Sequence, residues 1–277
     1  MVKIDAHQHF WKYDYLKHEW INEEMAVIRR DFLPENLLPV LQEHGIDGCI
    51  AVQADQTEAE TIFLLQLAKE HDFIKGVVGW VDLQCPAIEE WLHHFSRNDK
   101  FKGVRHILQG ETQRDLMLDK AFLNGISKLQ QFDLSYDILI FPDQLKYVPE
   151  LVSAFPDLRF VIDHIAKPDI KNKVMGDWKK DLEQIAQHEN VHCKLSGMVT
   201  EADLKSWKAD DFTPYLDTVV EAFGISRILY GSDWPVCLSA GSYTDVMGIV
   251  ANYFSRFTER EQQLFFGENA SAFYRLS

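Results

Sequence analysis

The first residues able to do chemistry come almost at once, in Ile4-Asp5-Ala6-His7-Gln8-His9-Phe10-Trp11. An extended strand points the side chains at i and i+2 the same way, so Asp5, His7 and His9 are expected on one face. Two imidazoles converging from a single rigid strand can hold a metal ion or polarise a bound substrate. A His-x-His pair also arises by chance and then sits hydrated on a surface. The far end of the chain favours the chemical reading. There, Ile228-Leu229-Tyr230-Gly231-Ser232-Asp233-Trp234-Pro235 delivers a carboxylate from the end of another apolar strand.

Other reactive patterns fall away in context. His188-Glu189-Asn190-Val191-His192 matches H-E-x-x-H, but zinc-protease chemistry needs both imidazoles on one continuous helix. Asn190 reads as a helix stop, and Val191, Cys193 and Leu195 begin a strand-like alternation. Adjacent His93 and His94 fall on different faces of a helix and read as solvated surface. With no G-x-S-x-G elbow and no Walker loop, an α/β-hydrolase or P-loop mechanism has no support. Asn269-Ala270-Ser271 fits a glycosylation sequon that is expected to be idle without a secretory signal.

An alternation of strands and helices must position these groups. After the opening strand, apolar runs bounded by turn residues predict strands at 48–53, 76–83, 103–108, 135–140, 159–165, 191–197 and 227–233. Helical period with start and stop signals predicts helices at 34–44, 58–72, 86–95, 119–132, 142–155, 177–189 and 217–223. Two more close the chain at 243–254 and 259–274, and Pro149 is expected to bend the fifth helix. The 11–32 connection, with Trp11, Tyr13, Tyr15 and Trp20 among charges, reads either as a lid or binding loop or as a partly helical surface excursion.

Strands each followed by a helix imply parallel pairing with right-handed crossovers. An open doubly wound sheet would want a G-x-G-x-x-G after the first strand, which is missing. The repeat count and the length of 277 residues suit a closed (β/α)8 TIM barrel, read as one domain over 1–277. In such a barrel the active site lies at the C-terminal strand ends. Those ends carry His7, His9, Gln53, Asp82, Arg105, His106, Asp137, His164, Lys194, Ser196 and Asp233. Asp82 and Asp137 also fit helix caps or loop anchors, and Lys194 also fits a counter-ion for a nearby carboxylate.

Composition narrows the partners. Hydrophobic residues make up 46% and charged residues 26%, ordinary for a globular protein. The net charge of −15, with no run of Lys or Arg, argues against nucleic acid or an anionic membrane surface. Cys49, Cys85, Cys193 and Cys237 lie far apart without a C-x-x-C pair, which predicts reduced thiols in a cytoplasmic protein. No apolar run reaches membrane-spanning length. Nothing in the sequence points to an oligomeric state.

Six motifs occur in order: Asp5-Ala-His-Gln-His-Phe-Trp11, Gly103-Val-Arg-His106, Asp163-His-Ile-Ala-Lys-Pro168, Lys194-Leu-Ser-Gly-Met198, Tyr230-Gly-Ser-Asp-Trp-Pro-Val236 and Gly267-Glu-Asn-Ala-Ser-Ala-Phe-Tyr274. Together they resemble the amidohydrolase superfamily in its "amidohydrolase 2" branch. Within it they resemble the sugar-lactone hydrolases (L-fuconolactonases and L-rhamnonolactonases) and the pyrone-dicarboxylate lactonases. The resemblance spans nearly the whole chain. It implies a (β/α)8 fold, a reactive cluster of His7, His9, His164 and Asp233, and Arg105 and His106 as substrate contacts. Binuclear members place a bridging Lys on the fourth strand and a His at the end of the fifth; Arg105-His106 and Ile138-Leu-Ile-Phe141 stand there instead, so a two-metal site is not expected.

A single divalent ion, zinc foremost, could sit on His7, His9 and Asp233 with one open position; the resemblance also allows catalysis with no metal. Asp233 is then expected as general base for a water that attacks a lactone carbonyl polarised by the His cluster and Arg105. A dicarboxylated pyrone would call for several Arg residues. Gln53, Asp82, Asp137, Lys194 and the aromatic side chains of Trp11 and Trp234 suit the hydroxyls and ring of a neutral sugar lactone. The rivals are a zinc-dependent decarboxylase of the same superfamily and a catalytically silent sugar-binding barrel.

Overall fold

The computed structural model describes residues 2–276. Its strands are β1 (Ile4–Gln8), β2 (Gly48–Val52), β3 (Ile74–Gly79), β4 (Phe101–His106), β5 (Ser135–Ile138), β6 (Phe160–Ile162), β7 (Val191–Leu195) and β8 (Ile228–Tyr230). They pair in chain order, parallel throughout, from β1 to β8. One α-helix follows each strand: α1 (Pro34–Glu43), α2 (Glu58–Glu70), α3 (Ile88–Phe95), α4 (Lys120–Leu129), α5 (Val148–Ala154), α6 (Gly176–Ile185), α7 (Ala209–Phe223) and α8 (Tyr243–Phe254), with a further helical segment after α8. This is the expected (β/α)8 barrel. Strands such as β2, β6 and β8 are buried on both faces, which is why they read as unbroken apolar runs rather than as alternations.

The seam between β8 and β1 is stitched rather than laddered. Asp233 N–H donates to the His7 carbonyl at 2.8 Å and His9 N–H to the Trp234 carbonyl at 2.7 Å. Ser232 N–H donates to the Asp5 carboxylate at 2.9 Å. The Asp5 side chain also accepts from His7 N–H (3.1 Å) and from the Tyr243 hydroxyl on α8 (3.1 Å). Burial raises its pKa to about 6 against these bonds.

This placement corrects the expected shared face. β1 pairs Asp5 with Cys49 but Gln8 with Ala51, so it holds one residue more than β2 over that span. Such a bulge re-aims side chains. Asp5 reaches the seam and α8, while His7 and His9 face the barrel interior, their Nε2 atoms 3.3 Å apart.

The remaining departures are local. β3 ends at Gly79 and β6 at Ile162, earlier than expected. Pro149 lies in the first turn of α5, after a 3-10 turn over Pro142–Tyr147, so it starts a helix rather than bending one. His192 lies within β7 and His188 in the turn before it, which removes the H-E-x-x-H helix. Residues 259–274 form a continuous helical segment with a π-helical turn at Leu264–Glu268. Its Phe273 and Tyr274 join Ile4, Ala6, Val52 and Leu229 in an apolar plug at the barrel floor. The four cysteines are unpaired. Among the described residues no helix is long and apolar enough to cross a membrane.

Candidate active site

Directly above the apolar floor lies a layer of buried charge. Lys194 of β7 places Nζ 2.5 Å from Asp137 Oδ2 on β5 and 3.0 Å from Asp163 Oδ1 just past β6. The Tyr274 hydroxyl donates to Asp137 Oδ2 at 2.8 Å, and its ring lies 5.5 Å from Lys194 Nζ. Arg105 of β4 donates through Nη1 to Asp163 Oδ2 at 3.1 Å and through Nη2 to the Gln53 carbonyl. Two carboxylates thus face two cations in a layer closed to water, where an uncompensated charge would be costly. Burial pushes Asp137 up to about 6 even with Lys194 pulling it down. At Asp163 burial also acts upward, but Lys194, His7 and Arg105 outweigh it and hold the carboxyl well below its ordinary range.

The imidazoles stand on this layer. His7 turns Nδ1 toward Asp163 Oδ1 (3.2 Å), while Nε2 lies 3.3 Å from Arg105 Nη1. His9 Nδ1 is 2.7 Å from the Val52 carbonyl. A carbonyl only accepts, so Nδ1 carries a proton and the ring turns Nε2 inward. Asp233 Oδ1 lies 3.3 Å from His9 Nε2, 4.0 Å from His7 Nε2 and 3.9 Å from His164 Nε2. Burial holds His7 and His164 well below their ordinary pKa, so both are neutral at neutral pH.

The backbone bends to deliver two of these groups. His164, Ile165, Ala166 and Lys167 run consecutively with φ between 49° and 57°, and Asp233 has φ of 57°. Left-handed backbone costs a non-glycine residue of order 1–2 kcal/mol, most for a β-branched one such as Ile165. Strain of this kind concentrates at functional sites. It ends β6 early and swings the His164 ring over the barrel mouth, where Nδ1 meets Ser196 Oγ at 2.9 Å. Two glycines leave room for the rings: a Cβ on Gly197 would lie 2.4 Å from His164 Nδ1, and one on Gly231 2.6 Å from the His7 Cβ.

Above the cluster opens a cavity of about 490 Å³. His9, Arg105, His164 and Asp233 line its base, and His7 sits fully buried beneath them. The other expected contacts lie elsewhere. Neighbours on a strand face opposite ways, so Arg105 turns inward and His106 outward, against Phe122 of α4 and with Nε2 2.9 Å from Glu111. Asp137 and Lys194 are sealed in the charged layer, and Gln53 donates to the Arg105 carbonyl behind the wall. Asp82 accepts from Gln84 N–H within its own turn. Trp11 donates its indole N–H to the Arg30 carbonyl, and Trp234 packs on Phe10 and Phe32. These residues support the site without lining it.

The walls combine residues of the connection expected as a lid or binding loop with others that mostly carry no pattern of their own. Trp20, Asn22 and Met25 of the 11–32 connection line the cavity, and the connection carries a short 3-10 turn at Glu23–Ile28. Gln109, Phe141, Lys167, Thr200 and Glu201 line the cavity as well. Lys167 had a signal, since it stands inside the Asp163–Pro168 motif just before a proline. Thr200 and Glu201 had none.

The donor set fits a divalent cation. His7, His164 and Asp233 offer ligand atoms all within 4.8 Å of one another, and His9 Nε2 lies beside them. His7 Nε2, His9 Nε2 and an Asp233 oxygen thus converge on one point, with the Arg105 guanidinium 3.3 Å from the first of them. Tetrahedral zinc with bonds of about 2.0–2.1 Å sets its ligand atoms roughly 3.4 Å apart, close to the 3.3 Å of the tighter pairs here.

Comparison with known proteins agrees with this architecture. A family model described as amidohydrolase matches residues 4–276. An L-fucono-1,5-lactonase of Burkholderia multivorans is 38% identical over 286 residues, covering 99% of this chain and 96% of that protein. One of Burkholderia ambifaria is 36% identical over 282 residues, with the same coverage. The crystal structure of a Burkholderia multivorans amidohydrolase with bound zinc superposes with a TM-score of 0.96 at 38% identity, each chain covered in full.

Proposed function

The chain belongs to the amidohydrolase family, and on that footing we propose that it is a lactonase, opening the ring of a sugar-acid lactone by direct attack of water. The observation that carries this reading is one carboxylate, Asp233, set among three imidazoles at the base of a cavity with a fixed guanidinium beside it. Asp233 takes the proton of the attacking water and returns it to the ring oxygen as that oxygen leaves. Arg105, pinned by Asp163 and by the Gln53 carbonyl, is a preorganised positive charge for the developing oxyanion. His164 is held by Ser196 and the room at Gly197 with its Nε2 3.9 Å from Asp233 Oδ1, where it can meet the lactone carbonyl.

His7, His9 and Asp233, with His164 alongside, would hold a divalent metal, zinc by the likeness to the zinc-bound relative. Such an ion would supply Lewis-acid polarisation of the carbonyl.

For the substrate, the relatives named L-fucono-1,5-lactonase make L-fucono-1,5-lactone the first candidate. Arg105 is the one arginine of the cavity lining among the described residues, whereas a dicarboxylated pyrone calls for several. A panel of aldonolactones and pyrone dicarboxylates, followed by acid release and by CO2 evolution, tests the reading. Fast opening of one or more aldonolactones is expected. Turnover confined to pyrones, or release of CO2, overturns it.

A further inference from the structure

Lys167 and Glu201 face each other on the cavity rim, Nζ to Oε1 at 3.3 Å, with side chains 17% and 20% exposed. Lys167 ends the left-handed run that begins at His164, so one strained turn fixes both the reactive imidazole and this ammonium. Glu201 closes the 3-10 turn Val199–Glu201 after β7. Its carbonyl accepts from Lys171 N–H at 3.0 Å, while Thr200 Oγ1 donates to the Gly197 carbonyl at 2.8 Å. The Lys171–Glu201 bond thus already ties the two loops through their backbones, and the ion pair adds little as a staple, since partly exposed pairs contribute about 0–1 kcal/mol. What it adds is chemistry on the cavity side. An ammonium carries three N–H groups and a carboxylate about four lone-pair sites, so the mutual contact and that of Thr200 Oγ1 with Glu201 Oε1 at 3.4 Å still leave a donor and an acceptor side by side. The Phe141 ring, 5.8 Å from Lys167 Nζ, supplies an adjoining apolar face.

We propose that Lys167 and Glu201 form a diol subsite, taking two neighbouring hydroxyls of the lactone ring while its carbonyl lies over His164 and Asp233. Glu201 accepts from one hydroxyl, Lys167 donates to the other, and the C–H face of the ring rests on Phe141. The proposal rests on the lactonase reading and assigns the two residues that select for the ring hydroxyls.

The test compares the wild type, Lys167→Met and Glu201→Gln on an aldonolactone and on δ-valerolactone, which has no hydroxyls. Each variant is expected to lose about 10–100-fold in kcat/KM on the aldonolactone, chiefly through KM, and to change less than about threefold on δ-valerolactone. Lys167→Arg keeps the charge and any stapling role but moves the donors. It is expected to lose selectivity between the two substrates by at least about threefold. Equal losses on both substrates, or an unchanged ratio in all three variants, overturns the subsite. A wild-type protein that opens neither lactone defeats the lactonase reading itself, a result distinct from active enzyme with unaltered selectivity.

Discussion

Replacing Lys194 with methionine keeps most of the side-chain volume and removes one positive charge from the sealed layer beneath the cavity. Lys194 Nζ stands 2.5 Å from Asp137 and 3.0 Å from Asp163, so in the variant Arg105 alone faces two carboxylates. Taking one partner out of a buried pair costs about 3–5 kcal/mol. A domain with roughly 5–15 kcal/mol of stability survives that loss, so the variant can be measured. The loss also has a direction with pH. Burial raises Asp137 from an ordinary 3.8 to about 6, with Lys194 restraining the rise. The folded state holds that proton more tightly than the unfolded chain does. Its contribution to stability is therefore full below 3.8 and is lost as pH climbs through about 6. Without Lys194 the folded pKa rises further, and each added unit deepens the deficit above it by about 1.4 kcal/mol. Urea unfolding of both proteins at about pH 5.5 and about pH 8 should show the larger destabilisation at the higher pH, by at least one such increment. Equal deficits at the two pH values, or a deficit under about 1 kcal/mol at about pH 8, would refute the charge-balance reasoning.

Three further outcomes are expected. Asp233→Asn should lower kcat on the best lactone by about 10²–10⁴-fold with KM changed far less; near-normal steady-state turnover would remove Asp233 as the base. Because burial keeps His7 and His164 neutral well below their ordinary 6.5, kcat/KM should hold level as pH falls past 6.5 and decline only further into acid; a limb centred at 6.5 would show that these rings titrate as if exposed. Gly197→Ala puts a methyl 2.4 Å from His164 Nδ1 at a backbone φ of 62°. It should cut kcat by at least about tenfold while far-ultraviolet circular dichroism stays native, and full activity would mean that His164 has more room than its packing suggests.

Much of the architecture was legible because it rests on local patterns. β2, β6 and β8 announce themselves by apolar runs between turn residues, and the rule that barrel chemistry gathers at strand ends located His9, Arg105, His164 and Asp233 at the cavity base. What escaped depends on partners distant in the chain. The extra residue in β1 is defined only against β2, so nothing around Asp5 signals that it parts from His7. Arg105 and His106 could not both face inward on a regular strand, a point available from alternation alone. The left-handed run from His164 to Lys167 contains no glycine, and so lacks the usual signature of such backbone. Lys194 read equally as substrate contact or counter-ion until Asp137 and Asp163, 57 and 31 residues away in sequence, were seen on either side of it.

The stitched seam between first and last strands has a kinetic corollary. Asp5 and Ser232 are 227 residues apart in sequence, and the bonds that join them also bring His7 and His9 against Asp233. The geometry of the candidate site is therefore created by the pairing of first and last strands, the kind of non-local contact that chains of this size complete late. During renaturation, helical content should return first and turnover only when the ring shuts.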